Sequence, residues 1–241
     1  IHNITILENR SVVTAHYEAG INIHEPTTYV IKHHIDMECI RLTSIGNQII
    51  CVDYDSGTIS ILSDEGERIG SVDCVKSVYC AAAGQGGELA VIHRGSETHD
   101  KLSFINITEN RIILTCDVKK DGYIPRMSIT YNNEAIISYF KDNIIRCYNP
   151  QRDELFTYDP NTRGGHKLVA KGVCSDVFGN VIVASSTTNT VHLLSSTLNY
   201  RQLLITECEG IKWPRDVAID SDGNLTVGCF TGEIYRVKHL E

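Results

Sequence analysis

The feature that most constrains the fold is a unit of short apolar runs near the end of the chain, WPRDVAIDSDGNLTVGCFTGEIYRV from Trp213 to Val237. Two turn-forming segments, SDGN at 221–224 and TGE at 231–233, divide it into three runs. Short runs rich in Val and Ile and bounded by Asp, Gly and Asn predict antiparallel strands joined by tight turns. A helix does not fit, because turn residues interrupt before two apolar helical turns can form.

The same unit recurs upstream. KGVCSDVFGNVIVASSTTNTVHLL begins at Lys171 and aligns with the last unit at an offset of 44 residues, which places Asp176 on Asp220. A third copy, YIPRMSITYNNEAIISYFKDNIIRCY, has Pro125-Arg126 where the last unit has Pro214-Arg215. Weaker copies begin near residues 2, 40 and 76, which makes six in all.

The spacing of the copies predicts the architecture. Their starts lie roughly 36 to 49 residues apart, which is the period of a four-stranded propeller blade. We predict one all-β domain over residues 1–241, a six-bladed β-propeller of four-stranded antiparallel blades. The chain opens on a first strand and ends after a third, so the last blade is expected to have three strands. The chain starts at Ile1 without a leader, and we expect a domain excised from a longer protein.

Composition limits the function classes. A net charge of −8 and a pI of about 5.7 disfavour a protein whose main role is to bind phosphate backbone. The sequence has no apolar run long enough to span a membrane, so no membrane partner is expected. The nine cysteines form no CxxC pair and mostly fall in apolar runs. This pattern predicts buried thiols and a cytoplasmic or nuclear location.

Motifs for catalysis or metal binding are weak. The stretch from Asp220 to Asn224 resembles the start of a calcium loop, but Glu233 comes too early to be its last ligand, and a hairpin turn is favoured. His33 and His34 would point to opposite faces of a strand and could not share a metal ion. GxSxG, HExxH and P-loop motifs are absent from the sequence. We expect no metal, no cofactor and no catalytic residue in this domain.

Two rings of side chains are predicted at one end of the propeller, where the loops between blades and the loops from second to third strands emerge. The residue that enters the first strand is basic in most copies: Lys76, Arg126, Lys171 and Arg215. The residue that ends the second strand is mostly aromatic: Tyr17, Tyr54, His93, Phe140, Ser186 and Phe230. Arg94 and Lys141 directly follow two of these.

The two rings have two interpretations. Cations surrounded by aromatic side chains suit acidic peptides or single-stranded nucleic acid. Alternatively, the aromatic side chains pack against the next blade, and the basic side chains pair with neighbouring carboxylates such as Asp216. Both interpretations are compatible with the sequence.

The repeat resembles the NHL repeat, whose pattern is an apolar strand, Asp-x-x-Gly-Asn, a Val-rich strand and a loop bearing Asp or Asn. The matching residues are Asp176, Gly179, Asn180 and Asn189 in blade five, Asp220, Gly223 and Asn224 in blade six, and Asp53 or Asp55 with Gly57 in blade two. A cysteine-rich six-bladed NHL domain is most similar to the C-terminal domains of tripartite-motif (TRIM) proteins. That resemblance implies a zinc-binding RING with ubiquitin-ligase activity, B-boxes and a coiled coil upstream, and a propeller that selects the target.

Three functions follow as hypotheses. We expect a non-catalytic domain that recognises a protein substrate of a TRIM-type ubiquitin ligase. The alternative is a propeller that binds single-stranded RNA through the basic and aromatic residues. A metal-dependent propeller enzyme is the least favoured, because it needs carboxylates or His converging on the channel. The domain alone is expected to be monomeric, and the resemblance implies a parent protein that dimerises through its coiled coil.

Overall fold

The computed structural model describes residues 1–16, 19–53, 55–84, 86–120, 122–149, 151, 153–161 and 167–239. Over these residues the strands form six antiparallel sheets, five of four strands and one of three, each with its strands in chain order. The fold is the predicted six-bladed β-propeller with a three-stranded last blade. The chain divides into two compact units, His2–Lys120 and Ile1 with residues 121–241, which are described in turn.

The unit His2–Lys120 contains blades one to three. Blade one comprises β1 (Asn3–Ile6), β2 (Val12–His16), β3 (Gly20–His24) and β4 (Ile31–Ile35). Blade two comprises β5 (Cys39–Ile45), β6 (Gln48–Asp53), β7 (Ile59–Leu62) and β8 (Arg68–Val72). Blade three comprises β9 (Val78–Ala83), β10 (Glu88–His93), β11 (His99–Asn106) and β12 (Arg111–Lys119).

The second strands of these blades are buried on both faces, which explains their apolar runs without alternation. In β6, Ile49, Ile50 and Val52 have no exposed surface. One apolar cluster joins blade one to blade two, and another joins blade two to blade three. The fourth strands are the most exposed, and β4 has no buried residue. Burial on both faces therefore distinguishes the second strand of a blade from its exposed fourth strand.

The unit formed by Ile1 and residues 121–241 contains blades four to six. Blade four comprises β13 (Arg126–Ile129), β14 (Ala135–Tyr139), β15 (Ile144–Asn149) and β16 (Asp153–Tyr158). Blade five comprises β17 (Ala170–Ser175), β18 (Val181–Ser185), β19 (Thr190–Leu194) and β20 (Tyr200–Ile205). Blade six comprises β21 (Pro214–Ile219), β22 (Asn224–Cys229) and β23 (Ile234–Lys238). A short 3-10 helix, Glu207–Glu209, connects blades five and six.

The first residues of the chain do not supply an outer strand to blade six. Strand β1 pairs with β2 in blade one, as the predicted register requires. Ile1 nevertheless contacts blade six, because its backbone nitrogen donates to the carbonyl oxygens of Cys229 at 3.0 Å and Phe230 at 3.3 Å. Blade six therefore keeps three strands among the described residues.

The stretch that resembles a calcium loop is the predicted hairpin turn. The Asp220 carboxylate accepts hydrogen bonds from the backbone N–H of Asp222 at 3.0 Å and of Asn224 at 2.8 Å. The Arg236 guanidinium also pairs with this carboxylate. Asp176 makes the same turn in blade five, where it accepts from the N–H of Asn180 at 2.8 Å. Both carboxylates therefore act as acceptors within their own turns.

The other structural observations concern cysteines and helices. All nine cysteines lie in described ranges and are free thiols, and six of them are buried. Within the described ranges, none of the helices is long and apolar enough to cross a membrane.

Candidate functional site

A β-bulge at the start of strand β21 places Arg215 outside the regular ladder of blade six. Pro214 pairs with Cys229 and Asp216 pairs with Gly228, so Arg215 is an extra residue between two ladder pairs. A bulge bends the strand and re-aims the side chain of the extra residue. The guanidinium of Arg215 lies against the ring of Phe230, with Cζ 5.1 Å from the ring centroid.

Blade five has a bulge at the same place. Ala170 pairs with Ser185 and Val173 with Val183, which leaves Lys171 in the irregular stretch between them. The Lys171 ammonium lies over a ring of the preceding blade, with Nζ 3.0 Å from the centroid of Phe140. Two predicted basic residues thus each contact a predicted aromatic residue. A cation over an aromatic face contributes about 0.5–1 kcal/mol at an exposed site.

A third aromatic ring extends the Phe140 pair. Tyr123 meets Phe140 edge to face, with centroids 5.9 Å apart and an angle of 84° between the rings. This arrangement matches the quadrupoles of the two rings. The Ser138 hydroxyl fixes the backbone nearby by donating to the Lys171 carbonyl oxygen at 2.6 Å.

Trp213 is a further candidate site residue, which the sequence did not predict. Its indole side chain is half exposed, yet hydrogen bonds hold its backbone on both sides. Its N–H donates to Asn189 Oδ1 at 2.8 Å, and its carbonyl oxygen accepts from the Phe230 N–H at 3.0 Å. Trp213 has φ of 48°, a left-handed conformation that costs an L-residue about 1–2 kcal/mol. A strained backbone that presents a large aromatic side chain to solvent indicates a functional position.

Asparagines in the turns between second and third strands position these elements. Asn189, with φ of 52°, holds the N–H of Trp213 at the start of the next blade. Asn143, with φ of 55°, acts in the same way one blade earlier: its side-chain amide donates to Leu168 O at 2.7 Å and accepts from Ala170 N at 3.1 Å. Asn tolerates the left-handed region better than most residues. These two turns fix the starts of β17 and β21.

We call the residues Phe140, Lys171, Trp213, Arg215 and Phe230 the cation–aromatic edge. They all lie at the ends of strands or in the turns beside them, in the unit that contains blades four to six. Trp213 and Phe230 are 53% and 51% exposed, so both rings are available for contact. The edge combines large aromatic side chains with two cations, Lys171 and Arg215, which each contact a ring.

Arg126 of blade four forms an ion pair with Asp216 of blade six, beside Gly172 of blade five. Its Nη1 lies 3.5 Å from Asp216 Oδ2, and both side chains are about nine-tenths buried, at 11% and 9% exposure. Gly172 makes this approach possible, since a Cβ at that position would lie 2.1 Å from Asp216 Oδ1. The Asp216 carboxylate therefore occupies the space that a side chain on blade five would need.

The sequence alignment of Arg126 with Arg215 needs a correction. Arg126 pairs with Ser138 in a regular ladder, as Asp216 pairs with Gly228. The bulge at Arg215 inserts one residue into blade six, so the shared Pro-Arg dipeptides occupy different ladder positions. Arg126 and Asp216 are consequently the equivalent residues.

The charges around Asp216 are unequal. Burial lowers the pKa of Arg215, and the neighbouring charge of Arg126 lowers it further, while Asp216 opposes both effects. Two guanidinium groups thus share the field of one carboxylate. Within the described ranges, Arg126 Nη1 and Arg215 Nε are buried and have no hydrogen-bond acceptor.

The remaining predicted site residues differ in their exposure within their own units. Lys141 is exposed in the turn after Phe140. In the other unit, Lys76 is exposed and lies outside β9, and Arg94 is exposed beside the half-buried His93. Tyr17 and Tyr54 lie outside the described residues.

His93 is tied into its own blade rather than presented for binding. Its Nε2 is 2.9 Å from Ser103 Oγ. Burial lowers the pKa of His93, and the charge of Lys101 acts in the same direction. His93 pairs with Val78, and the register shifts by a bulge just before this pair. As a result, Arg94, and not His93, holds the position in blade three that Phe140 holds in blade four. The predicted ring was displaced by one residue in this blade.

No group of three or more His, Cys, Asp or Glu side chains is arranged to hold a metal ion in the part of the chain that the structure describes.

The chain matches no family model and no curated protein. It is similar in structure to a protein of unknown function from Bacteroides caccae (11% identity, TM-score 0.71, covering 94% of this chain and 88% of that one). The β-propeller domain of Myceliophteria thermophila Cps50 (Swd1) is similar as well (12% identity, TM-score 0.66, covering 100% of this chain and 84% of that one). A luciferin-regenerating enzyme is also similar in structure (13% identity, TM-score 0.70, covering 99% of this chain and 91% of that one). At such identities the likeness shows the fold alone: the chain is a β-propeller.

Proposed function

We propose that this chain is a non-catalytic recognition domain that binds a partner protein through the cation–aromatic edge. The observation that carries the proposal is Trp213, a half-exposed indole whose backbone is held in a strained conformation by Asn189 and Phe230. Trp, Tyr and Arg dominate the binding energy of protein interfaces, particularly where they are held rigidly before binding.

The state of the cations favours a protein over RNA. Lys171 and Arg215 already contact aromatic rings, and Arg126 is mostly buried against Asp216. A surface that follows a nucleic-acid backbone needs a continuous row of exposed cations and a positive field, whereas Arg126 is mostly buried and this chain has a net charge of −8. The edge therefore suits a compact apolar contact with a few charged groups.

The resemblance to NHL repeats supports a more specific role for the proposed domain. We place it in a TRIM-type ubiquitin ligase, as the part that selects the protein substrate. The residues that carry the resemblance support this role, because each makes a defined hydrogen bond: Asp176 and Asp220 each accept one within their own turns, and Asn189 accepts one from the next blade.

The binding proposal is tested by capture with matched variants of the 241-residue chain. Trp213→Ala with Phe230→Ala removes the exposed rings of the cation–aromatic edge. Tyr131→Ala with Phe178→Ala is the control, because these rings are also exposed, at 65% and 73%, but lie in the turns at the other ends of the strands.

Immobilised chains are exposed to nuclease-treated cell extract, and the bound proteins are quantified by mass spectrometry. We expect proteins that the wild type and the control retain and that the Trp213/Phe230 variant loses. Identical retention by all three chains would refute the proposed edge. The ligase role has a separate test: the complete coding sequence should encode a RING finger upstream, and its absence would leave recognition without ligation.

A further inference from the structure

Two positively charged side chains, Arg126 and Arg215, lie around the carboxylate of Asp216. Arg126 on blade four and Arg215 on blade six both lie close enough to Asp216 for their charges to interact with it and with each other. One carboxylate cannot neutralise two guanidinium groups. Because both arginines are partly or mostly withdrawn from water, the excess positive charge is poorly screened there.

The hydrogen-bond donors are also in excess. Arg126 Nη1 approaches Asp216 Oδ2 at 3.5 Å without donating a hydrogen bond, and Arg215 Nε is buried without an acceptor in the described part of the chain. A buried donor left without a partner is costly, and buried polar groups in proteins are nearly always satisfied. Two such donors on neighbouring guanidinium groups indicate a place for acceptor oxygens that another molecule supplies.

The position of Arg215 makes the place accessible. Its guanidinium is half buried and lies against the half-exposed ring of Phe230, so a group that docks on that ring lies next to the guanidinium. Trp213, which is also half exposed, is two residues from Arg215 in the sequence. Planar guanidinium groups bind carboxylate and phosphate oxygens with charge-assisted hydrogen bonds.

We propose that Arg126 and Arg215 form an oxyanion site within the recognition surface, which takes a side-chain carboxylate or a phosphorylated side chain of the partner protein. The proposal rests on the proposed function and names the group that this surface selects. The shared chemistry is a planar or tetrahedral oxyanion with an apolar neighbour that covers Trp213 and Phe230.

Trp213 is the chain's only tryptophan and lies two residues from Arg215 in the sequence, so its fluorescence serves as the probe of binding. The folded 241-residue chain is titrated with inorganic phosphate and with acetate at constant ionic strength, with chloride as the balancing anion. We expect a saturable change with at least one of the two oxyanions. Arg215→Gln should weaken that binding about tenfold, which is the order of one charge-assisted hydrogen bond.

Arg201→Gln is the matched control, because Arg201 is an exposed arginine on the outer strand β20 of the same unit. It should bind like the wild type. Equal weakening in Arg201→Gln and Arg215→Gln, or a signal that follows ionic strength alone, would overturn the proposal. Arg126→Gln gives a second loss variant if Arg215→Gln does not fold, as judged by circular dichroism.

Asp216→Asn separates an oxyanion site from a structural ion pair. Removing the competing carboxylate should tighten phosphate or acetate binding about tenfold, as expected for the loss of a nearby like charge. A merely structural role for the three residues predicts no gain in affinity in any variant. Unchanged or weaker binding in a folded Asp216→Asn chain would therefore contradict the proposal.

Peptides then distinguish the source of the oxyanion. Matched peptides with an aromatic residue beside Asp, phosphoserine or Ser are compared, and a single-stranded RNA oligomer is added as a fourth ligand. Preference for the Asp or the phosphoserine peptide identifies the group, whereas preference for RNA would refute a protein oxyanion. If no oxyanion binds while capture still depends on Trp213, the oxyanion site fails and the proposed function stands.

Discussion

Trp213 shows how a single residue combines strain and exposure. Its φ of 48° is unfavourable for any residue with a Cβ, and the hydrogen bonds to Asn189 and Phe230 hold it there. Glycine adopts this conformation without a steric cost. We expect Trp213→Gly to be more stable than Trp213→Ala by about 1 kcal/mol, because both remove the indole and only the alanine keeps the strain.

The comparison is made by urea unfolding of both variants, followed by circular dichroism. Equal stability of the two, or a more stable alanine variant, would show that the backbone at this position is not strained. Both variants should lose the partner that the wild type captures, because both lack the indole that we propose to make the contact. The two variants should therefore differ in their free energy of unfolding but not in their loss of partner binding.

Asp220 gives a pH dependence with a defined sign. Burial raises the pKa of its carboxyl, but hydrogen bonds from Asn224 and Arg236 outweigh that effect and hold the pKa below its usual 3.8. A carboxyl whose pKa is lower in the folded state stabilises the fold above the unfolded pKa, and this contribution is lost as the pH falls through the folded value.

We therefore expect Asp220→Asn to be less stable than the wild type by about 1–2 kcal/mol at pH 7, with a gap that narrows as the pH falls from about 5 to 3. Thermal unfolding of the two chains across that range measures the gap. A constant difference would mean that the charge of Asp220 makes no net contribution, and that the turn depends on its geometry alone.

At the scale of the elements, packing between β17 and β21 depends on a missing side chain. A Cβ at Gly172 would lie 2.4 Å from Asp216 Cα and 2.9 Å from Arg215 O, so the two strands would have to separate. We expect Gly172→Ala to destabilise the chain by about 2 kcal/mol or more.

Gly86→Ala is the control for this substitution, since the closest atom to its added Cβ is 4.0 Å away, on the side chain of Glu88. Both variants are measured by urea unfolding, and Gly86→Ala should change the free energy of unfolding by less than about 0.5 kcal/mol. Wild-type stability of Gly172→Ala would show that blades five and six can move apart freely.

The elements also show what the sequence could and could not predict. Strands β7 and β18 are easy to recognise in the sequence, because turn residues flank both apolar runs. The start of strand β4 is not visible in the sequence: it begins at Ile31, since Tyr29 has φ of 56° and the Thr28 hydroxyl donates to Glu25 at 2.7 Å in a turn. A polar turn before an exposed strand leaves no hydrophobic pattern to mark the boundary.

The bulges account for the errors at the candidate site. The extra residue at Arg215 is invisible in an alignment that matches Pro-Arg to Pro-Arg, so Arg126 was assigned the wrong equivalent. The alignment did find Phe140 and Phe230 as partners of the cations, because repeat position alone determines which turn they occupy. Trp213 was missed since its backbone conformation depends on Asn189, 24 residues earlier. Its position as the only tryptophan, directly before Pro214 and outside the apolar run, was the available signal.

At the scale of the whole molecule, net charge separates the two binding hypotheses. The chain has a charge of −8, Lys171 and Arg215 lie against aromatic rings, and Arg126 is mostly buried beside Asp216, so the three cations do not form a continuous exposed row. Binding to single-stranded RNA releases counterions, so the logarithm of the affinity falls with the logarithm of salt concentration by about 0.7 for each phosphate neutralised. If Arg126, Lys171 and Arg215 bound RNA together, the slope would be about −2.

We expect no such slope. The measurement is an electrophoretic titration of single-stranded RNA with the purified chain across a salt series, beside a variant in which Arg126, Lys171 and Arg215 are changed to Glu. Weak binding with equal salt dependence in both chains would agree with a protein-recognition domain. A slope of about −2 that the variant abolishes would show instead that all three cations contact the RNA backbone together, and that the acidic groups of the chain lie far enough from them to leave a positive local field.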